Sequence, residues 1–176
     1  MLIKIGDTKE PSDIVDHLLE CHERILAFSG LACRLATADT PSEKEVRDAA
    51  GRLIRYFSQS LPLHVADEEE SIVPRLSGRN QDIDSALRTM HEEHAQHEPY
   101  LNSLLEICRL LEASPQRLPE FRDALRGTTS VLQDKFVAHL QLEETVILPA
   151  IRRLLTAADR EAMLRELRAR RKSSCA

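Results

Sequence analysis

Two stretches of the chain carry the same side chains in the same register, HVADEEESIVP at 64–74 and HLQLEETVILP at 139–149. Each sets a histidine four residues before a glutamate, adds a second glutamate, and closes on a proline ten residues after the histidine. On a helix, residues i and i+4 share a face about 6 Å apart, so His64 with Glu68, and His139 with Glu143, can each grip one ion from a single helix. Nitrogen plus carboxylate suits iron, manganese or zinc, whereas calcium takes oxygen alone and a soft metal takes cysteine. Two such grips facing one another would hold two ions, and carboxylates shared between metals about 3.5–4 Å apart favour a pair of irons. Without metal, Glu68 and Glu143 would repel each other and lose solvation, costs that bound cations offset.

A lone HxxxE pair on a helix is most often a solvated ion pair. The repetition, and the apolar neighbours Ile72, Val73, Ile147 and Leu148, set both turns against a buried face where an uncompensated charge is costly. Glu69 and Glu144 point about 100° away from the gripping glutamates, which predicts solvent exposure or a hydrogen bond to a histidine. The other histidines then matter. His22 precedes the first grip, and His91, His94 and His97 precede the second, while His17 falls outside the pattern.

These groups need long helices to carry them. The chain has 176 residues, 5 glycines and 3 % aromatics, which suits helices better than a turn-rich sandwich or barrel. A first helix is expected from near Pro11, capped by Ser12 or Asp13, and a second after Pro41, capped by Ser42 and reaching about Leu76 with a kink at Pro62. A third helix follows SGRNQD (77–82) and is bent by Pro99; a fourth opens at Pro119; a short fifth is opened by Thr156 with Asp159. Short connections between long helices predict an all-α, up-down-up-down four-helix bundle with a short C-terminal fifth helix. One domain is expected over 1–176, with the bundle at about 12–155 and an appended helix with a disordered basic tail at 156–176.

A net charge of −5, from 24 basic and 29 acidic residues, offers no footprint for nucleic acid. No signal peptide or membrane-spanning run is evident, which predicts a soluble cytoplasmic protein. Cys21, Cys33, Cys108 and Cys175 lack CxxC spacing and read as reduced thiols, Cys175 sitting in an exposed polar tail.

His22, the HxxxEE…P element at 64–74, the MHEEH turn at 90–94 and the second element at 139–149 together resemble the hemerythrin-like, or HHE cation-binding, domain. The resemblance spans about 12–155. It implies a four-helix bundle around a non-heme di-iron centre, oxo- and carboxylate-bridged, with ligands His22, His64, Glu68, His94, His139 and Glu143. Oxygen-carrying hemerythrins use HxxxH on the third helix and HxxxxD on the fourth; this chain has HxxHxxH and HxxxE, closer to a glutamate-bridged branch. The 75-residue repeat aligns His22 with His97, while the MHEEH context selects His94, so His91 and His97 stay open as substitutes or additional ligands.

The resulting expectation is a di-iron protein that binds or senses oxygen, peroxide or nitric oxide in a redox or iron stress response. Two alternatives stand beside it: an iron-centre repair or peroxide-consuming enzyme at the same site, and a non-catalytic module that docks an unknown protein partner through its basic tail, with metal as a staple.

Overall fold

The computed structural model describes residues 13–173; Pro11, Ser12 and Cys175, which entered the sequence reading, lie outside that range. Helix α1 spans Ile14–Thr37 and is capped by Asp13, whose carboxylate accepts from the Val15 amide at 2.9 Å. Helix α2 covers 43–76 and opens on a reciprocal capping box between Ser42 and Glu45. After a turn through Gly78, at φ 76°, Asn80 caps α3, Gln81–Ala113. A 3₁₀ turn at Pro115–Arg117 leads into α4, 118–154, with Pro119 in its first turn. Helix α5, Ala157–Ser173, opens where Thr156 and Asp159 bond each other's amides. The described residues are almost wholly helical and form the expected all-α bundle, each long helix packing against two others in the cyclic order α1, α2, α3, α4.

The prolines act differently from the expected kinks. Helix α2 carries π-turns at Tyr56–Ser60 and Glu68–Ile72, and α4 carries one at Glu143–Ile147. Each is followed by one residue and then a proline, Pro62, Pro74 or Pro149. Proline has no amide hydrogen to give the ladder. The amide just before it reaches back five residues instead of four, Leu61 to Tyr56, Val73 to Glu68 and Leu148 to Glu143, so the helix takes up one extra residue and runs on. The proline that ends each repeated motif therefore fixes a wide turn that begins on the gripping glutamate. Pro99 produces no such turn, and α3 continues through it as one α-helix.

The core is divided in two. One apolar cluster, with Leu53, Leu111, Leu125 and Leu132 at its centre, fills one end of the bundle. Another, around Ile14, Ile72, Met90 and Ile151, fills the other end. A polar layer lies between them: His22, His64, Glu68, His97, His139 and Glu143 are all buried.

Helix α5 is more than an appendage, and its basic end is ordered over the described residues. Met163, Leu164 and Leu167 complete the second apolar cluster, each buried side chain contributing about 1.5–3 kcal/mol. Arg170 and Arg171 then hold the two oxygens of the fully buried Asp67 at 2.9 and 2.7 Å, and Arg170 also reaches Glu70 and Ser71. The long-range pairing of a buried carboxylate with two arginines is what the local sequence could not show.

Candidate metal centre

Four helices deliver one histidine each to the polar layer: His22 from α1, His64 from α2, His94 from α3 and His139 from α4. Glu68 approaches the Nε2 atoms of His64 and His94 at 3.0 and 3.1 Å. Glu143 approaches those of His22 and His139 at 2.9 and 2.8 Å. Despite these distances, His22 Nε2, His94 Nε2, Glu143 Oε1, both nitrogens of His64 and both oxygens of Glu68 are buried without a hydrogen bond. The atoms converge without aiming at one another. Ligands about 2.1 Å from a common ion and at right angles to each other stand about 3 Å apart, the spacing seen here. Buried, unpaired lone pairs at that spacing are costly unless a cation sits among them.

Two groups have donor atoms within 4.8 Å of one another: His22, His64, Glu68 and Glu143, and Glu68, His94, His139 and Glu143. Both glutamates belong to both groups. Each group could hold one ion, and the residues present therefore fit a pair of cations with nitrogen and carboxylate donors. All six residues named from the sequence lie in this layer. His97 and His91 offer no atom to either group; His97 packs its ring 5.1 Å from those of His139 and Phe136, and His91 is an exposed partner of Glu69.

The far nitrogens are held as well. His22 Nδ1 lies 2.9 Å from Glu144, His94 Nδ1 2.9 Å from Glu69, and His139 Nδ1 2.8 Å from Glu93. A carboxylate there accepts the Nδ1 proton and leaves the Nε2 lone pair for a metal. Glu69 and Glu144 thus take the hydrogen-bonding role their position predicts, while Glu93 was not singled out from the sequence and Asp67, expected to be exposed as part of the acidic run 67–70, is fully buried. Glu93 precedes His94 and reaches across to another helix, so only the MHEEH context hinted at it. His64 differs: its Nδ1 has no hydrogen-bond partner, and it faces a small cavity shared with Cys21, Arg24 and Arg171.

Electrostatics agree with cation binding. Burial opposes charge on His22, His94 and His139, but Glu143 for the first and last, and Glu68 for the second, outweigh it and raise all three, His139 to about 9. His64 is likewise disfavoured by burial and raised well above its ordinary value by Glu68. Burial works to raise Glu68, and the charges of His64 and His94 reverse it and bring its carboxyl well below the usual range. In the absence of metal, protons held on the histidines supply the positive charge this layer needs. His97 stands apart: burial, then the charges of His139 and His94, push it down to about 3, so it is neutral. At Cys21 burial raises the thiol, but His17 and His64 bring it down to about 6.

A helical bundle with a layer of four histidines and two glutamates of this kind defines a cation-binding helical protein. The sequence matches the hemerythrin HHE cation-binding domain model over residues 13–151, and the chain belongs to that family. No curated protein and no solved structure matches it. No helix among the described residues is long and apolar enough to cross a membrane.

Proposed function

We propose that the centre holds two iron ions bridged by Glu68 and Glu143, with His22 and His64 on one ion and His94 and His139 on the other, as in the glutamate-bridged branch of the family. The observation that carries this reading is that both carboxylates belong to both donor groups. When bound, such a pair supplies an open coordination position and one-electron redox changes at each ion. The protein binds or senses oxygen, peroxide or nitric oxide there, in a redox or iron stress response within the cytoplasm. Support for a reducing compartment comes from the free thiols of Cys21, Cys33 and Cys108.

The chain's own residues have definable tasks in this reading. Glu69, Glu93 and Glu144 hold the Nδ1 protons of three histidines, fixing ring orientation. The apolar clusters above and below close the layer off along the bundle axis. The basic end of α5, which a docking reading would reserve for a partner, has Arg170 and Arg171 engaged on Asp67, and this favours the redox reading.

The test is metal content by mass spectrometry on protein from iron-replete cells, followed by anaerobic reduction and titration with nitric oxide, oxygen and peroxide under a visible spectrum. Two irons per chain and a saturable spectral change are expected. Zinc alone, or iron that responds to none of the three, would overturn the proposal.

A further inference from the structure

A cavity of about 540 Å³ opens between α2 and α3 and ends on the rings of His64, His94 and His139. Sites for organic ligands span about 300–1,000 Å³, whereas a water molecule takes about 30 Å³. The space therefore far exceeds what a diatomic gas or hydrogen peroxide fills. Its walls are apolar, formed by Ile25, Phe57, Leu61, Leu101, Leu105 and Phe136. His97 is the one buried polar side chain on them outside the metal-facing set.

The mouth has a different character. Exposed Ser58, Glu98 and Asn102 line it, and no lysine or arginine does. The Ser58 hydroxyl donates to the Ile54 carbonyl at 2.6 Å, so its oxygen faces other partners as an acceptor. Glu98 brings a negative charge to the mouth with no cation among the lining residues, which selects a ligand that donates.

We propose that this cavity binds a small amphipathic organic molecule, its apolar body directed at the metal centre and its hydrogen-bond-donating, neutral or cationic head at the mouth. An alkyl or aromatic amine, amide or alcohol has that chemistry; a carboxylate or phosphate does not, because Glu98 would repel it. The inference rests on the proposed di-iron reading only for what the inner end of the ligand meets.

The test is calorimetric titration of the full-length protein, as purified, with n-octylamine, n-octanol and n-octanoate, with metal content measured on the same sample. Saturable one-to-one binding of the amine and the alcohol is expected, at least tenfold tighter than that of the carboxylate. Leu101→Trp, which fills the cavity, should weaken both at least tenfold with helicity retained. Exposed Glu98→Lys, which leaves the core untouched, should reverse the order of amine and carboxylate. Equal binding of the carboxylate, no saturable binding, or indifference to Glu98→Lys would overturn the proposal. An intact two-iron spectrum without octyl binding would sink this inference alone; octyl binding without iron would sink the di-iron reading alone.

Discussion

The ligand turns of α2 and α4 are alike inside and unlike outside. Both run from a histidine to a gripping glutamate that starts a π-turn, and both reach a proline that makes the turn necessary. Behind them they diverge. Position 67 is a buried aspartate held by two arginines, while its counterpart 75 residues on is Leu142, packed against the second apolar cluster. His139 is backed by Glu93, whereas His64 has no carboxylate behind it. The comparison teaches that the donor atoms facing the polar layer are constrained by the groups they form together, while the outer surface of each turn is constrained only by what packs on it: α5 in one case, apolar side chains in the other.

If the inner halves are equivalent, Glu68→Ala and Glu143→Ala should each cost both metals, because each removes a donor from both groups. Metal analysis should find less than one ion per chain in either variant, with a lowered melting temperature. Retention of both ions by one variant would break the equivalence. The outer halves should respond unequally. Removing Arg170 and Arg171 together leaves Asp67 buried without a partner and should cost about 3 kcal/mol in urea unfolding. Asp67→Leu, which copies α4, should cost less than about 1 kcal/mol, since both arginines can turn to water.

A smaller effect is expected behind the histidines. Glu93→Gln should weaken metal binding about 10- to 100-fold in a chelator competition. Cys21→Ala, the nearest equivalent change behind His64, should weaken it less than about threefold. An equal loss for both would mean that the thiol serves His64 as fully as a carboxylate serves His139.

The finest difference is one of pH, between the metal-free and the loaded protein. His139 is raised to about 9 when metal-free, above its ordinary 6.5, so the stability it contributes is complete below 6.5 and lost as pH rises through 9. Metal-free protein should therefore melt lower at pH 9.5 than at 6.5. Loading displaces those protons, so the margin of loaded over metal-free protein should widen across the same interval, as thermal scans at both pH values would show.

Much of this was legible in the chain. Side-chain caps at Ser42, Thr156 and Asp159 marked helix starts, because a cap and its partner lie within three residues. The repeated HxxxEE…P placed the gripping residues for the same reason: its geometry is local to one helix. What crosses between helices was not legible. Glu93 finds His139, and Arg171 finds Asp67, only after rotation and register are set by packing. His94 and His97 were hard to separate because three residues on a helix differ by only about 60° in direction and 4.5 Å in height. Contact decides it: His94 Nε2 lies 3.1 Å from Glu68, whereas His97 offers no atom to either donor group. The π-turns were missed because proline alone signals a break, and the compensating register shift leaves no signature of its own.

The clamp on Asp67 has a consequence in time. Its arginines lie about 100 residues after the carboxylate they neutralise, and ribosomes add about 5–20 residues each second. For roughly 5–20 seconds of synthesis, the turn bearing His64 and Glu68 has a carboxylate that must stay hydrated or take up a proton. Burial of that turn with its carboxylate charged therefore waits for α5, whose Arg170 and Arg171 supply the neutralising charge.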